Sequence, residues 1–150
     1  MCSSDLVGFV DDFQVVDSND GTNDTNNLEA GMTDVAVATF QVSNNSTDGF
    51  SVSIASLNAG KYIDTISGLE RAYTMTATQT GGTNGAAGGT ADPVASPASI
   101  DVVNGDTLTW GDIQQGTSDM IVTLKVSSPS DTSLLEGTYT DTLQITYSDT

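Results

Sequence analysis

The sequence contains no histidine and only three basic residues, against 20 Asp and Glu, which gives a formal net charge of -17 at pH 7. Histidine is the commonest general base and transition-metal ligand, so its absence excludes catalysis of the Ser-His-Asp or Cys-His type. Nucleic acids and anionic membranes are bound mainly through Lys and Arg, so neither is an expected partner. We therefore expect a protein that is not an enzyme and requires no cofactor.

Cysteine and long apolar segments are scarce as well. Cys2 is the single cysteine, so no disulfide can form within the chain, and a thiolate zinc site would lack ligands. Whether Cys2 carries a lipid, stays a free thiol or marks a trimmed edge is left open by the residues around it. No apolar run approaches the length of about 18 residues that suggests a membrane-spanning helix. A chain of 150 residues can form one ordinary core by packing alone, and we predict a single domain over 1–150.

The residues that are abundant, namely Thr, Ser, Asn, Asp and Gly, are typical of strands and turns. Apolar and polar residues alternate over 35–42, a turn-forming cluster follows at 43–49, and alternation resumes over 50–54. This pattern predicts a β-hairpin or a tight corner between two sheets. The Gly- and Pro-containing segment 80–99 predicts a flexible loop. Further strands are predicted at 62–66, 72–78, 100–103, 108–110, 120–126 and 139–147.

Short strands separated by turns favour an all-β fold, a two-layer antiparallel sandwich of the immunoglobulin-like or jelly-roll kind. One parity of each strand should face the core and the other should face water. The expected core residues are Phe40, Val42, Phe50, Val52, Ile54, Tyr73, Met75, Leu108, Trp110, Val122, Leu124, Leu143 and Ile145. No helix is predicted.

Three segments together resemble bacterial pilin-like sandwich domains. They are 40–54, 73–77 and above all Gly137-Thr138-Tyr139-Thr140-Asp141-Thr142-Leu143-Gln144-Ile145-Thr146-Tyr147, which is similar to the closing strand of the spore coat U and archaic chaperone–usher pilin families. The resemblance implies an incomplete immunoglobulin-like sandwich whose missing strand is supplied by a neighbouring subunit. Those families commonly carry a cysteine pair, which this chain lacks.

The N-terminal segment 1–16 is the first candidate for such a donor strand. Val7, Phe9, Phe13 and Val15 lie on one parity, and Asp11 interrupts this apolar row. An edge strand of this pattern can supply ladder hydrogen bonds and core side chains to an open sheet. The alternative, favoured slightly, is that the segment is the first strand of its own sheet. The terminal strand 139–147 is a second donor candidate, with the same alternative.

An Asp- and Asn-rich segment follows at 17–24 and predicts a calcium site with Asp17, Asn19, Asp20 and Asp24 as ligands. Calcium prefers oxygen ligands in a loop that a glycine allows to turn, and Gly21 lies among these residues. The spacing does not match an EF-hand. An ordinary turn rich in Asp and Asn is the alternative explanation.

These observations predict a structural subunit of an extracellular fibre, pilus or surface layer, assembled as a homo-oligomer or filament by β-strand complementation. The predicted location is extracellular or at the cell surface, with the bacterial outer surface favoured by the resemblance. The alternative function is a monomeric adhesion module that binds a carbohydrate or protein through 43–49 or 80–99. Trp110 would then be a stacking platform, although a Trp in an alternating strand is more often part of the core.

Overall fold

The computed structural model describes residues 4–7, 12–17, 28–44, 50–80, 98–110, 117–135 and 137–149, and every regular element in these ranges is a β-strand. The all-β prediction is therefore confirmed. The strands are β1 (Ser4–Val7), β2 (Asp12–Asp17), β3 (Met32–Asn44), β4 (Phe50–Ser56), β5 (Lys61–Asp64), β6 (Glu70–Ala72), β7 (Thr74–Thr80), β8 (Ala98–Ile100), β9 (Asp106–Trp110), β10 (Thr117–Ser128) and β11 (Gly137–Asp149).

The strands form two antiparallel sheets that pack as a sandwich. The first sheet has the order β1-β3-β10-β7-β8. The second sheet is built around the long strand β11, which pairs with β4 over one part of its length and with β5 over another. There β9 pairs with β4 and β6 pairs with β5. Strand β2 pairs with β11 on the edge opposite β5, because both strands pair with Tyr139 and Thr140.

Alternation of apolar and polar residues places one face of each strand in the core, as β4 shows. Phe50, Val52 and Ile54 are fully buried, whereas Ser51 and Ser53 are half-buried on the outer face. The predicted core is confirmed at every position whose side chain is described, which excludes Val42 and Trp110. Core residues that were not predicted are Leu28, Met32, Ala38, Tyr62, Ala77, Ile100, Val102, Val126, Leu134 and Tyr139.

Strands β3 and β4 belong to different sheets, so the chain makes a corner between them rather than a hairpin. The strand predicted at 62–66 is wrong at its end, because β5 stops at Asp64 and Ile66 is 93% exposed in a turn. The strand predicted at 100–103 is wrong in the same way, since β8 ends at Ile100 and a turn follows. Aspartate side chains bind backbone N–H groups in both turns and so end the strands.

The connection between β10 and β11 lies at one end of the sandwich. We call this end the β10–β11 pole and define it by residues 28–31 and 129–135. Strand β2 ends here, with Asp17 opposite Gly137, and β3 begins here, with Met32 opposite Ser128. The two segments are joined by a hydrogen bond of 3.0 Å from the Asp131 N–H to the Glu29 carbonyl.

A glycine allows the two segments of this pole to pack closely. Gly31 has a φ of 85°, and a Cβ atom at this position would lie 2.8 Å from the backbone nitrogen of Ser130. A side chain would therefore both strain the backbone and collide with the neighbouring segment. Leu28, just before this contact, is fully buried, so the chain that enters β3 is anchored to the sandwich from residue 28 onward.

Candidate functional site

The N-terminal strands lie along one side of the sandwich, with β1 in the first sheet and β2 in the second. We call this side the N-terminal seam and define it by β1, β2 and the strands with which they pair. Strand β1 pairs with the end of β3, with Ser4 opposite Asn44 and Val7 opposite Gln41. Strand β2 pairs with the beginning of β11, over Gly137–Thr142. Among the described strands, β1 and β2 each pair with only one neighbour, so both are edge strands.

The register of β2 sets two of the predicted interface residues opposite core positions of β11. Phe13 lies opposite Asp141, and Val15 lies opposite Tyr139. Asp141 is 1% exposed and Tyr139 is fully buried. Tyr139 and Asp141 therefore belong to a core-facing row of β11, and the register sets Phe13 and Val15 opposite this row. Val7 lies in β1, whereas Phe9 lies outside the described residues.

Asp141 places a carboxylate inside this core-facing row. One of its oxygens, Oδ2, accepts hydrogen bonds from the Tyr73 hydroxyl at 2.6 Å and from the Ser56 hydroxyl at 2.5 Å. The other, Oδ1, accepts the backbone N–H groups of Asn58 at 3.1 Å and Thr142 at 2.7 Å. A buried carboxylate is tolerated only where hydrogen bonds replace its water, and these four donors do so.

The carboxylate lies where the ladder along β11 is interrupted. Strand β4 ends with Ser56 opposite Leu143, and β5 resumes the pairing with Ile63 opposite Thr140. Between them the chain bulges away over 57–60, and Asp141 binds the N–H of Asn58 in this bulge. Ser56 extends the network, because its hydroxyl also accepts the Gly60 N–H at 2.7 Å. The side chain of Asp141 therefore supplies acceptors that the interrupted ladder lacks.

Gly60 connects this network to the first sheet. It has a φ of 74°, and a Cβ atom here would lie 2.8 Å from a methyl group of Val102. The Gly60 carbonyl accepts the N–H of Tyr73 at 2.9 Å, just before β7 begins. The bulge at 57–60 therefore ties the interrupted ladder of β11 to the point where the chain passes between the sheets.

Two buried tyrosines lie beside the carboxylate. The rings of Tyr62 and Tyr73 are 4.6 Å apart between centroids. Burial, and then the negative charge of Asp141, raise the pKa of Tyr62 well above its ordinary value. Burial, and then the hydrogen bond to Asp141, raise the pKa of Tyr73 in the same direction. Both phenols are therefore held in the neutral form, in which they do not repel the carboxylate.

Three aspartates shape turns rather than a reactive site. The hydroxyl and backbone N–H of Ser67 lower the pKa of Asp64, and the side chain and backbone of Asn104 lower the pKa of Asp101. Ser133 lowers the pKa of Asp131 by the same two kinds of hydrogen bond, with a smaller contribution from the charge of Arg71. Since the ionised form is favoured in the folded state, these turns stabilise the fold above about pH 4 and lose that contribution as the pH falls further.

The predicted calcium ligands are not brought together in the described part of the chain. Asp17 ends β2, opposite Gly137, while Asn19, Asp20 and Asp24 lie outside the described residues. No group of three or more His, Cys, Asp or Glu side chains with the geometry to hold a metal ion occurs within the described ranges. The calcium site remains a prediction from the sequence.

A surface pocket of about 360 Å³ lies where β6 passes into β7, lined by residues 71–74 and 127–129. Arg71 is committed to structural contacts there. Its guanidinium pairs with Asp131 at 3.0 Å and donates to the carbonyls of Pro129 and Ser130. Arg71 on β6 therefore links the connection between β10 and β11 to the second sheet through an ion pair and hydrogen bonds.

Comparison with known proteins returns nothing: no family model, no curated protein and no solved structure matches this chain. Within the described residues, no helix is long and apolar enough to cross a membrane. The candidate site therefore rests on the chain's own geometry, which singles out the N-terminal seam and the buried carboxylate beside it.

The carboxylate network is the part of the site that the sequence-based prediction missed. Its signal was present, because Asp141 occupies the same parity as Tyr139, Leu143 and Ile145. A charged residue in an apolar row predicts a buried polar contact. Its partners were not predictable in the same way, since Ser56 and Tyr73 are distant in sequence and meet it only through the pairing of the strands.

Proposed function

We propose that this chain is a structural subunit of an extracellular fibre, pilus or surface layer, and that its copies are joined by exchange of the N-terminal strands. In this proposal β1 and β2 of one copy occupy the N-terminal seam of another. The protein is not an enzyme in this account, and its partner is a second copy of itself.

The observation that supports the proposal most strongly is the register of β2 on β11. Phe13 and Val15 of the apolar row are opposite core positions of the acceptor strand, as a donated strand requires. A second copy offers the same acceptor row and the same backbone groups. Exchange therefore replaces contacts within one chain by identical contacts between chains, which makes it a low-cost route to assembly.

The position of these strands at the edges of the sheets is a second argument. Removing an edge strand leaves the central pairings of β10 with β3 and β7, and of β11 with β4, in place. It also exposes a row of unpaired N–H and C=O groups, which favour pairing with a new strand. Assembly outside the cell would also suit a chain with few cleavage sites for trypsin-like proteases, since Lys61, Arg71 and Lys125 all lie within strands.

A charge placed on the apolar parity of β2 tests the proposal. In Phe13→Asp the new carboxylate lies opposite Asp141, and like charges directly opposite each other destabilise a strand pair. Because the new charge weakens this pairing equally within a copy and between copies, it favours a state in which β2 is unpaired, and we expect the assembled fraction to fall at least about tenfold, equivalent to roughly 1.4 kcal/mol. The measurements are electron microscopy and size-exclusion chromatography of the full chain at physiological salt.

The matched control is Gln14→Asp, which adds the same charge to the same strand on the other parity, opposite Thr140. This variant should assemble as the unmodified chain does. Circular dichroism checks that both variants keep the β-sheet fold. Equal assembly of the two variants, or an unmodified chain that stays monomeric under all conditions, would contradict the proposal.

A further inference from the structure

We infer that copies joined by exchange of the N-terminal strands share the β10–β11 pole, so that they lie side by side or pole to pole and do not form an end-to-end thread. This inference rests on the proposed function, because it describes the geometry of the same exchange. It follows from where β2 ends, where the chain is anchored again, and how much chain lies between.

The two fixed points lie at one end of the molecule. Asp17, the last residue of β2, is opposite Gly137, and Leu28 is buried just before β3 begins. Gly137, opposite Asp17, and Ser128, opposite Met32 at the start of β3, are joined by the short connection that defines the β10–β11 pole. Within one copy the chain between Asp17 and Leu28 has only to pass from one sheet to the other, and stacked sheets are roughly 10 Å apart.

The length of this chain sets an upper limit on the exchange. Eleven residue steps separate Asp17 from Leu28. A polypeptide spans at most about 3.3–3.6 Å per residue, so the reach is at most roughly 36–40 Å whatever path the chain takes. When β2 of one copy occupies a second copy, its Asp17 lies opposite the Gly137 of that second copy. The β10–β11 poles of the two copies must then lie within this distance.

An end-to-end thread does not meet this limit. In a thread, equivalent poles are separated by at least the full length of one subunit. Strands β3 and β11 have 13 residues each, which corresponds to roughly 40 Å of strand, and the turns at both ends add to it. The chain between Asp17 and Leu28 would have to be fully extended just to span the length of one of these strands. When the β10–β11 poles of two copies lie together, the linking chain has to span a much shorter distance.

The charges at this pole set the conditions under which copies can share it. Glu29 and Asp131 belong to this pole, and Asp131 is paired with Arg71. Two such poles repel each other at low ionic strength, and the repulsion between exposed groups is screened over about 8 Å at physiological salt. The assembly should therefore be prepared at physiological salt or above.

Distances between spin labels in the assembled protein test the inference. The labelling sites are Ile66→Cys, which is near the β10–β11 pole, and Thr109→Cys, which is on β9 toward the opposite pole, each in a Cys2→Ser background. Both side chains are exposed, so labelling should not disturb the core. Separately labelled batches are mixed before assembly, and pulsed electron–electron double resonance measures the distances between labels on different copies.

We expect the distance between labels at residue 66 of two copies to be shorter than the distance between residue 66 of one copy and residue 109 of the next. A shorter distance between residues 66 and 109 would show that opposite poles meet and would overturn the inference. Exchange itself is scored in parallel, unlabelled samples of Gln14→Cys/Thr140→Cys protein by a disulfide between β2 of one copy and β11 of another. A cross-link found only within single chains would reject the proposed function and the inference together, whereas a cross-link between copies with opposite poles in contact rejects the inference alone.

Discussion

The Asp141→Leu variant is expected to lose about 3–5 kcal/mol of unfolding free energy, the largest effect of any single substitution considered for this fold. The leucine removes the acceptor for the Tyr73 and Ser56 hydroxyls and for the N–H groups of Asn58 and Thr142. Each hydrogen bond to a charged group contributes about 1.5–3 kcal/mol, and the relief of not burying the charge offsets part of that sum. Small domains have only about 5–15 kcal/mol of stability in total.

Urea unfolding of Asp141→Leu and Asp141→Asn measures this effect. The asparagine keeps the shape and one carbonyl oxygen for the two N–H donors, and the hydroxyls of Tyr73 and Ser56 can rotate to accept from its amide. We therefore expect Asp141→Asn to lose only about 1–2 kcal/mol. A leucine variant as stable as the unmodified chain would show that the carboxylate does not hold the interrupted ladder together.

The second large effect is expected in alkaline solution, where the fold should lose stability steeply above about pH 10. The pKa values of Tyr62 and Tyr73 are raised in the folded state, whereas a tyrosine in the unfolded chain titrates near pH 10. Below that pH both states carry the proton, and the folded state keeps its full stability. Above it the unfolded state has released protons that the folded state still holds, so the free energy of unfolding falls as the pH rises.

Denaturant unfolding between about pH 8 and pH 12, followed together with tyrosinate absorbance, measures the second effect. The double variant Tyr62→Phe/Tyr73→Phe removes both titrating groups and should flatten the alkaline decline. It should be less stable at neutral pH, since the hydrogen bond from Tyr73 to Asp141 is lost. A free energy of unfolding that does not change between about pH 9 and pH 11 in the unmodified chain would contradict the account of the buried tyrosines.

The layers of the fold could be predicted from the sequence because alternation records burial directly. Phe50, Val52 and Ile54 on one parity are the buried face of β4, and Ser51 and Ser53 are its outer face. The abundance of Ser and Thr has the same origin, since these residues cover the outer faces of both sheets. A two-layer sandwich follows from such strands, because each buries one face.

The ends of strands and the contacts between them could not be predicted in this way. Ile66 and Val103 continue the apolar pattern of the strands before them, yet both are exposed in turns that Asp64 and Asp101 form. A local hydrogen bond to an aspartate outweighs a weak preference for an extended backbone. The register of β2 on β11 joins residues more than 100 positions apart and leaves no signal in a single sequence.

The most direct test of the account is a disulfide placed between β2 and β11. Gln14 and Thr140 are directly opposite each other, so cysteines at these positions in a Cys2→Ser background should have Cα atoms about 4.5–5.5 Å apart, within the range of a disulfide. The control pair is Ser53→Cys/Thr107→Cys on β4 and β9, whose hydroxyls lie 3.0 Å apart within one chain. Both proteins are assembled, oxidised, unfolded and separated without reductant.

We expect covalent dimers or larger species for the pair on β2 and β11, and monomers only for the control pair. If assembled and oxidised Gln14→Cys/Thr140→Cys protein runs entirely as an internally cross-linked monomer, the N-terminal strands stay on their own chain. That result would contradict exchange as the basis of assembly.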